Sequence, residues 1–366
     1  MTMDVVIVGA GPTGLTLSAA LKARGIDHVL LDAAAQGANT SRAAVIHART
    51  LEVLDDLGIA GELVRRGIVV PQFTVRDRDR ALMRVPFAGL PTRFPFTLML
   101  PQSETEQILS AYAGQVRWQS PVTAVEGGVV TLAGGEQIEA RYVVGCDGLN
   151  SVVRQQSGIG FTGGRYPESF VLADVHLKWP FPRDEVHLFF APSGLVVVAP
   201  LPGERYRIVA TLDDAPEQPS AADVQALLDA RGPEAEPAEV TGLVWSSRFR
   251  VQHRLADHYR RGPVFLAGDA AHVHSPAGGQ GMNTGIQDAV TLARALAGEI
   301  DLDAYETLRR PVATQVVATT HRMTRAATLR NPMLRAVRNS VLSLAGRSPA
   351  VQRRLALSLA ELTVPK

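Results

Sequence analysis

The N-terminal 32 residues pass from an apolar run through a glycine-rich turn into a helical pattern. Residues 4–8 are largely β-branched and predict a strand, and residues 15–24 carry apolar side chains at helical spacing. A second apolar run at 28–31 predicts another strand. The succession predicts a βαβ unit of about 30 residues.

Beyond this unit the pattern predicts two strand-rich blocks, at 71–101 and 161–249, and hairpins over 116–142. Strands are expected at 142–145, 171–177, 186–190, 194–199, 206–212 and 262–266. Helices are expected at 41–57, 61–66, 102–112, 221–230 and 283–297, and from 305 onward with breaks near 331 and 346–349.

The glycine-rich turn lies between the first predicted strand and helix. Residues 9–14 fit the spacing G-x-G-x-x-G, and Asp32 follows Gly9 by 23 positions. In a dinucleotide site the first glycine allows the turn, the second admits the pyrophosphate and the third permits close helix–strand packing. The motif predicts phosphates at the helix N-terminus and ribose hydroxyls on Asp32, although a purely structural turn needs glycines too.

A second motif follows the strand predicted at 262–266. That strand delivers Asp269 beside a glycine, and a loop rich in glycine and proline follows at 275–283, before a helix. Such a loop exposes backbone amides at a helix N-terminus, where negative charge is favoured. The spacing from Asp269 to the loop therefore predicts a site for a negatively charged group.

Composition narrows the class of protein. The chain has 366 residues, 46% hydrophobic and 20% charged, with a net charge of +1, which predicts two domains with a substantial core. No stretch approaches the roughly 20 apolar residues of a membrane span, and no signal peptide is expected. The single cysteine, Cys146, excludes an intramolecular disulfide and favours the cytoplasm. A metal site is not expected, because His272 and His274 have no third ligand nearby in the sequence.

The near-neutral total conceals an uneven distribution of charge. Residues 307–360 contain ten arginines and no acidic residue, so the rest of the chain carries about −9. Such a stretch invites a nucleic-acid or anionic-lipid interpretation, yet the chain prefers arginine to lysine throughout. We therefore expect these arginines on the solvated faces of helices that bridge the domains. The apolar positions expected to pack across the domains are Met333, Val337, Val341, Leu344, Val351, Leu355 and Leu359.

Taken together, the motifs resemble those of class A flavin-dependent aromatic monooxygenases with the para-hydroxybenzoate hydroxylase fold. The resemblance covers about residues 3–320 and rests on the turn at 9–14, the Gly-Cys-Asp-Gly at 145–148, and the Gly-Asp-Ala-Ala-His at 268–272 with its loop. It implies an α/β fold: a Rossmann-like FAD-binding domain, an inserted mixed β-sheet substrate domain, and C-terminal helices without a thioredoxin-like domain. The implied domains are 1–70, 101–160 and 256–320 for FAD, 71–100 and 161–255 for substrate, and 321–366 for the helices.

The resemblance also implies which residues bind FAD. Gly9, Gly11, Thr13 and Gly14 would hold the pyrophosphate and Asp32 the adenosine ribose. Arg42 and Gln102 would contact the phosphate and ribityl region, and the backbone of Val122 the adenine. Asp269 would bind a ribityl hydroxyl, and Asp147 would link the FAD and nicotinamide regions. The backbone amides of Gly279, Gly281, Met282 and Asn283 would face the flavin N1–O2 edge.

The activity that the resemblance implies is hydroxylation of an aromatic small molecule. NAD(P)H would reduce FAD, and O2 would form a flavin C4a-hydroperoxide that transfers oxygen to an electron-rich ring. No protein nucleophile is required, so catalytic residues stay unassigned. A monomer or homodimer is expected, with no nucleic-acid partner.

The predicted strands at 186–190 and 194–199, with Phe94 and Phe96, are apolar enough to form a substrate wall. These strands offer no tyrosine or arginine for a small benzoate, which favours a polycyclic or polyketide-like phenol. Baeyer–Villiger oxidation, epoxidation and antibiotic inactivation remain open on the same scaffold. A halogenase is disfavoured because the three tryptophans lie far apart, and a non-enzymatic flavin module is a further alternative.

Overall fold

A computed structural model describes residues 3–37, 43–212, 214–329 and 331–363. Its first sheet contains the N-terminal βαβ unit, and its strands follow the order β17-β18-β11-β1-β2-β8. These are β1 (Met3–Val8), β2 (His28–Leu31), β8 (Val116–Arg117), β11 (Gln137–Gly145), β17 (Arg260–Arg261) and β18 (Val264–Leu266). Because β1, β2, β8, β11 and β18 run parallel, their carboxyl ends meet at one edge.

Helices cover this parallel sheet. They are α1 (Pro12–Lys22), α4 (Gln102–Tyr112), α5 (Val152–Gln156) and α7 (Gly281–Leu296). Proline at the first position of α1 is favoured because that residue needs no amide partner. The strands β9 (Val122–Glu126) and β10 (Val129–Leu132) form a meander with β11, which confirms the hairpins predicted there.

A second, mixed sheet carries the other strand-rich segments, in the order β19-β16-β12-β15-β14-β13-β5-β6. Its neighbours are antiparallel except β5 and β13. The strands are β5 (Gln72–Asp77), β6 (Arg80–Pro86), β12 (Phe161–Lys178), β13 (Glu185–Ala191), β14 (Gly194–Leu201), β15 (Arg205–Thr211), β16 (Glu239–Ala256) and β19 (His272–Val273).

One face of the mixed sheet packs against α6 (Ala221–Arg231), whose N-terminus is closed by a capping box between Ser220 and Asp223. A third, small sheet consists of β3 (Val45–Ile46), β7 (Thr97–Met99) and β4 (Ile68–Val70), in that order. The α/β fold with an inserted mixed sheet is thereby confirmed. The exact domain boundaries stay a prediction.

The remaining helices are α2 (Ala48–Asp55), α3 (Ala60–Arg66), α8 (Ala304–Ala327), α9 (Pro332–Ala345) and α10 (Pro349–Leu359). Asn331 and Ser348 cap α9 and α10, so the breaks expected between the C-terminal helices are confirmed. No helix among the described residues is long and apolar enough to cross a membrane.

One predicted element was wrong, and one long strand was missed. Helical spacing over 41–57 suggested one helix, but within the described part of that segment residues 45–46 pair with β7 as a strand. The helix begins only after His47. The 18-residue strand β16 was not predicted, because its sequence mixes arginine and serine with apolar residues and lacks a clean alternation.

Two expectations for the C-terminal helices were also wrong. Arg309 is buried in an ion pair rather than solvated, because Asp288 of α7 lies opposite it. The apolar positions of α9 were expected to pack across the domains, yet Met333, Val337, Val341 and Leu344 are exposed. The helix instead packs through a side that carries Arg338, Asn339 and Leu342.

Candidate active site

Three segments far apart in the chain meet at the carboxyl edge of the parallel sheet. The amide of Cys146 donates to the Val8 carbonyl at 2.7 Å, and the amide of Ala267 donates to the Gly145 carbonyl at 3.0 Å. Residues that end strands of one parallel sheet thus lie side by side. Asp32, Asp147 and Asp269 follow three of these strand ends, so the edge gathers three carboxylates.

The three glycines of the first turn stand in different surroundings. Gly9 has φ +105°, and a Cβ there would lie 2.4 Å from the carbonyl oxygen of Cys146. A Cβ on Gly14 would lie 1.8 Å from the Gly9 oxygen. A Cβ on Gly11 would meet nothing within 4 Å. The protein's own packing requires the first and third glycines, whereas the space beside the second is open for a ligand.

Thr13 joins the first turn to the third motif. A Cβ on Gly285 would lie 2.4 Å from its hydroxyl oxygen, and a Cβ on Gly268 would lie 2.5 Å away. The side chain therefore packs between α1 and α7. Its backbone amide lies in the first turn of α1, where amides lack helical partners, and this is the group that can meet a phosphate.

Asp32 holds the glycine-rich turn in place. Its Oδ2 accepts the amide of Ala10 at 2.6 Å, and its Oδ1 accepts the amide of Ala34 at 2.8 Å. A carboxylate oxygen has two lone pairs, so each atom retains capacity for a ribose hydroxyl. The residue can therefore serve both the turn and a bound nucleotide.

Asp147 carries a buried atom with no partner. Its Oδ2 accepts the amide of Val153 at 3.1 Å, whereas its Oδ1 is buried and has no hydrogen-bond partner in the part of the chain that is described. Burial raises the pKa of this carboxyl. An unpaired buried acceptor at this edge fits a hydroxyl or amide donor of a cofactor.

Asn283 fastens the glycine-rich loop to the small sheet. Its side-chain amide donates to the carbonyl oxygens of Val45 and Gly279, both at 2.8 Å, and its Oδ1 accepts the amide of His47 at the same distance. Its side chain is thus fully occupied. Gly281 and Met282 form the first turn of α7, where backbone amides are available to a negative group.

His47 is a site residue that the sequence did not reveal. It is fully buried, and its Nε2 lies 2.7 Å from the Gly278 carbonyl, so Nε2–H donates. Burial lowers the pKa of the imidazole to about 4, which keeps it neutral. In the sequence this histidine lay inside the helix predicted over 41–57, so nothing there marked it as a site residue.

The remaining predicted residues that the structure describes lie in α4, in β9 and after β18. Gln102 accepts the amide of Ala43 at 3.2 Å, and Val122 is buried at the start of β9. Asp269 lies exposed in a short 3-10 turn after β18. The predicted Arg42 lies outside the described residues.

A buried network holds the third motif. Asp288 accepts the amide of Gly268 at 3.2 Å, His272 Nε2 at 2.6 Å and Arg309 Nε at 2.7 Å. Although burial alone would raise it, His272 and Arg309 hold the pKa of the Asp288 carboxyl below its usual value. His272 therefore has a structural partner in this network.

The face of the mixed sheet opposite α6 carries a charged cluster that sequence reasoning missed. Arg207 forms two hydrogen bonds to Asp174, at 2.8 and 2.9 Å, and Trp245 donates to the same carboxylate at 2.9 Å. Arg207 also donates to the Ala43 carbonyl at 2.9 Å, which ties the sheet to the cofactor-side segment. The sequence offered one signal, which was the position of Arg207 inside the strand predicted at 206–212.

The same face forms an apolar wall. Val186, Leu188, Phe190, Val197 and Ala199 share a cluster with Phe94, whereas Phe189 and Val196 turn to the opposite face beside α6. Each strand predicted as substrate wall therefore contributes alternate residues. Phe96 packs against the core of the first sheet instead.

This chain is similar to known proteins over most of its length. The family model described as FAD binding domain matches residues 2–320. The chain is 39% identical to 6-methylpretetramide 4-monooxygenase of Streptomyces rimosus over 352 residues, covering 90% of this chain and 63% of that protein. It is 36% identical to pentachlorophenol 4-monooxygenase of Sphingobium chlorophenolicum, covering 87% of this chain and 64% of that protein. This chain thus spans less than two thirds of the length of either relative.

The fold has counterparts among solved structures. The p-nitrophenol 4-monooxygenase from Pseudomonas putida DLL-E4 superposes with a TM-score of 0.87 at 26% identity, covering 100% of this chain and 99% of that chain. Similarity therefore extends over both sheets and the C-terminal helices.

Proposed function

Because this chain belongs to the FAD binding domain family, among relatives that are aromatic monooxygenases, we propose that it hydroxylates a phenolic small molecule with FAD, NAD(P)H and O2. The proposal rests on one observation: the segment 43–47, which Asn283 ties to the glycine-rich loop, contacts the apolar sheet face through the hydrogen bond from Arg207 to Ala43. A nucleotide cofactor and an aromatic ring would meet there.

The chain's own residues would bind and orient the cofactor. Amides at Gly11 and Thr13 would meet the pyrophosphate, Asp32 the ribose, and the Oδ1 of Asp147 a hydroxyl or amide donor. The first turn of α7 would place backbone amides and the positive end of a helix dipole toward negative charge on the reduced ring. Bound FAD would supply the activation of oxygen after reduction by NAD(P)H.

The mixed sheet would bind the substrate and exclude water. Leu188, Phe190 and Val197 offer an apolar surface that suits a flat, multi-ring phenol better than a small carboxylate. The Arg207 charge is already paired with Asp174, so it is not free to clamp a benzoate. We therefore propose a polycyclic or polyketide-like phenol as substrate, and the cytoplasm, where NAD(P)H is available, as the location.

The test begins with the purified chain. A flavin spectrum after incubation with FAD is expected, followed by stimulated NADPH or NADH oxidation with polycyclic phenols and a product heavier by one oxygen atom. Product structure distinguishes ring hydroxylation from Baeyer–Villiger oxidation or epoxidation. A chain that takes up no FAD, or that oxidises only para-hydroxybenzoate, contradicts the proposal.

A substitution in the wall tests where the substrate lies. Val197→Trp should raise the KM for a polycyclic phenol about tenfold or more by filling the wall, with FAD affinity unchanged. The matched control is Leu243→Trp on β16, a partly exposed position, which should leave the KM unchanged. Equal effects of the two substitutions would place the substrate elsewhere.

A further inference from the structure

The α9 helix turns an apolar stripe toward solvent. Met333, Val337, Val341 and Leu344 are 78%, 59%, 58% and 69% exposed. Their spacing of three and four residues puts them on one helix face, which we call the α9 stripe. Proteins rarely leave a contiguous apolar patch of this kind in water unless it binds something.

Arg338, Asn339 and Leu342 lie on the side of α9 that faces the protein. Arg338 donates to the Phe190 carbonyl at 3.3 Å, and its guanidinium lies 4.6 Å from the centre of that residue's ring. Asn339 donates to the Asp77 carboxylate at 2.9 Å. A surface helix normally buries its longer apolar row, whereas α9 turns Leu342 inward and the α9 stripe outward. These polar contacts fix the helix with the stripe outward.

Among the described residues of 307–360, the exposed charged side chains are all arginines. Between residues 307 and 360 the sequence contains arginines and no aspartate or glutamate. The arginines of this segment whose side chains are exposed are Arg322, Arg325, Arg347, Arg353 and Arg354. They belong to α8, to the turn after α9 and to α10, the elements next to α9 in the chain. An apolar stripe accompanied by cations suits an apolar surface that carries negative charge.

We propose that the α9 stripe docks the protein on an anionic lipid surface. The stripe would enter the boundary between headgroups and acyl chains, while the exposed arginines bind lipid phosphates. With 14 residues, α9 is shorter than the roughly 20 needed to span a bilayer, so it would lie in the membrane plane. The proposal is independent of the reaction catalysed.

Other occupants fit these observations less well. A second copy docked through the same stripe would bring two arginine-rich surfaces together, and like charges repel. A nucleic acid would bind the arginines but would leave the α9 stripe in water. An anionic lipid surface satisfies both the stripe and the charges.

The experiment is vesicle sedimentation of the full chain loaded with FAD. Vesicles of phosphatidylcholine mixed with phosphatidylglycerol should sediment most of the protein at low salt. The bound fraction should fall several-fold at high salt, and likewise with phosphatidylcholine alone. Failure to bind the mixed vesicles, or equal binding to both kinds, overturns the proposal.

Substitutions locate the contact. The double substitution Val337→Gln with Leu344→Gln should weaken vesicle binding by about tenfold or more, because it removes two apolar side chains that would be buried in the lipid. Arg353→Gln with Arg354→Gln should weaken it and flatten its salt dependence.

The matched control for the stripe variant is Leu243→Gln with Val244→Gln, an exposed apolar pair on β16, outside residues 307–360. Circular dichroism and flavin content verify that each variant is folded. Loss of binding in the control pair overturns the assignment to α9. So does a dimer in ultracentrifugation that the stripe variant converts to monomer without any vesicle binding.

Discussion

The carboxylate of Asp288 on α7 and the guanidinium of Arg309 on α8 form a buried ion pair with a separation of 2.7 Å. The same carboxylate accepts the amide of Gly268, next to Asp269. A residue of the C-terminal helices therefore supports the segment that carries a predicted FAD ligand. The position of the segment at 268–269 therefore depends on the packing of α8.

Replacement of Arg309 should destabilise the protein. Arg309→Leu leaves the Asp288 carboxylate buried without its cation, so we expect the free energy of unfolding to fall by about 3–5 kcal/mol. Urea denaturation of the apoprotein measures it. Arg322→Leu on the exposed side of α8 is the control and should change the value by less than about 0.5 kcal/mol. Similar small effects for both substitutions would show that the pair contributes little.

Glu361 should make stability depend on pH. The residue is buried with a hydrogen bond from Gln287, and burial raises the pKa of its carboxyl to about 8. An unfolded glutamate has a pKa of about 4.3, so between these values the native state holds a proton that the unfolded chain releases. The stabilisation is complete below the lower value and is lost as the pH rises to about 8. The slope is at most about 1.4 kcal/mol per pH unit.

The variant Glu361→Gln imitates the protonated form. Its urea midpoint should vary less with pH than that of the wild type and should exceed the wild-type midpoint near the upper end of the window. Glu236→Gln, at an exposed position, should follow the wild-type curve. Parallel curves for wild type and Glu361→Gln would mean that this carboxyl does not titrate in the window.

Alanine substitutions of two glycines in the first turn should have different effects, one on the stability of the apoprotein and the other on FAD affinity. Gly14→Ala places a Cβ against the Gly9 oxygen and should destabilise the apoprotein by about 1–3 kcal/mol. Gly11→Ala meets no protein atom and should leave apoprotein stability unchanged, while FAD affinity falls about tenfold or more. Thermal melting and FAD titration measure the two effects. Gly61→Ala, also in open space, is the control for affinity, and unchanged FAD binding by Gly11→Ala would contradict the proposed pyrophosphate position.

Asp147→Asn tests the unpaired carboxylate oxygen. Asparagine offers one acceptor oxygen, and the Val153 amide already requires it. FAD affinity should fall by about 1.5–3 kcal/mol, while removal of a buried charge leaves the apoprotein at least as stable. Glu139→Gln, exposed on β11, is the control for both measurements. Normal FAD affinity of Asp147→Asn would remove this oxygen from the cofactor site.

The N-terminal unit illustrates what could be predicted. The strand, the turn and α1 follow from short-range rules, since apolar spacing and glycine conformations act within a few residues. Asp32 was predicted as a ribose ligand, which stays a prediction, and the structure shows that its carboxylate accepts the amides of Ala10 and Ala34. His47 and Arg207 could not be foreseen, because their partners lie 231 and 33 residues away in the chain.

The sequence by itself determined the family, the cofactor-binding motifs and the positions of the strand-rich and helical segments along the chain, because each depends on local backbone conformation or on characteristic residues at set spacing. Only the tertiary structure decided that Arg309 is buried and that α9 shows its apolar stripe to solvent. A helix has the same periodicity whichever side is turned inward. Its orientation depends on partners such as Asp288, Phe190 and Asp77, which distant parts of the chain supply.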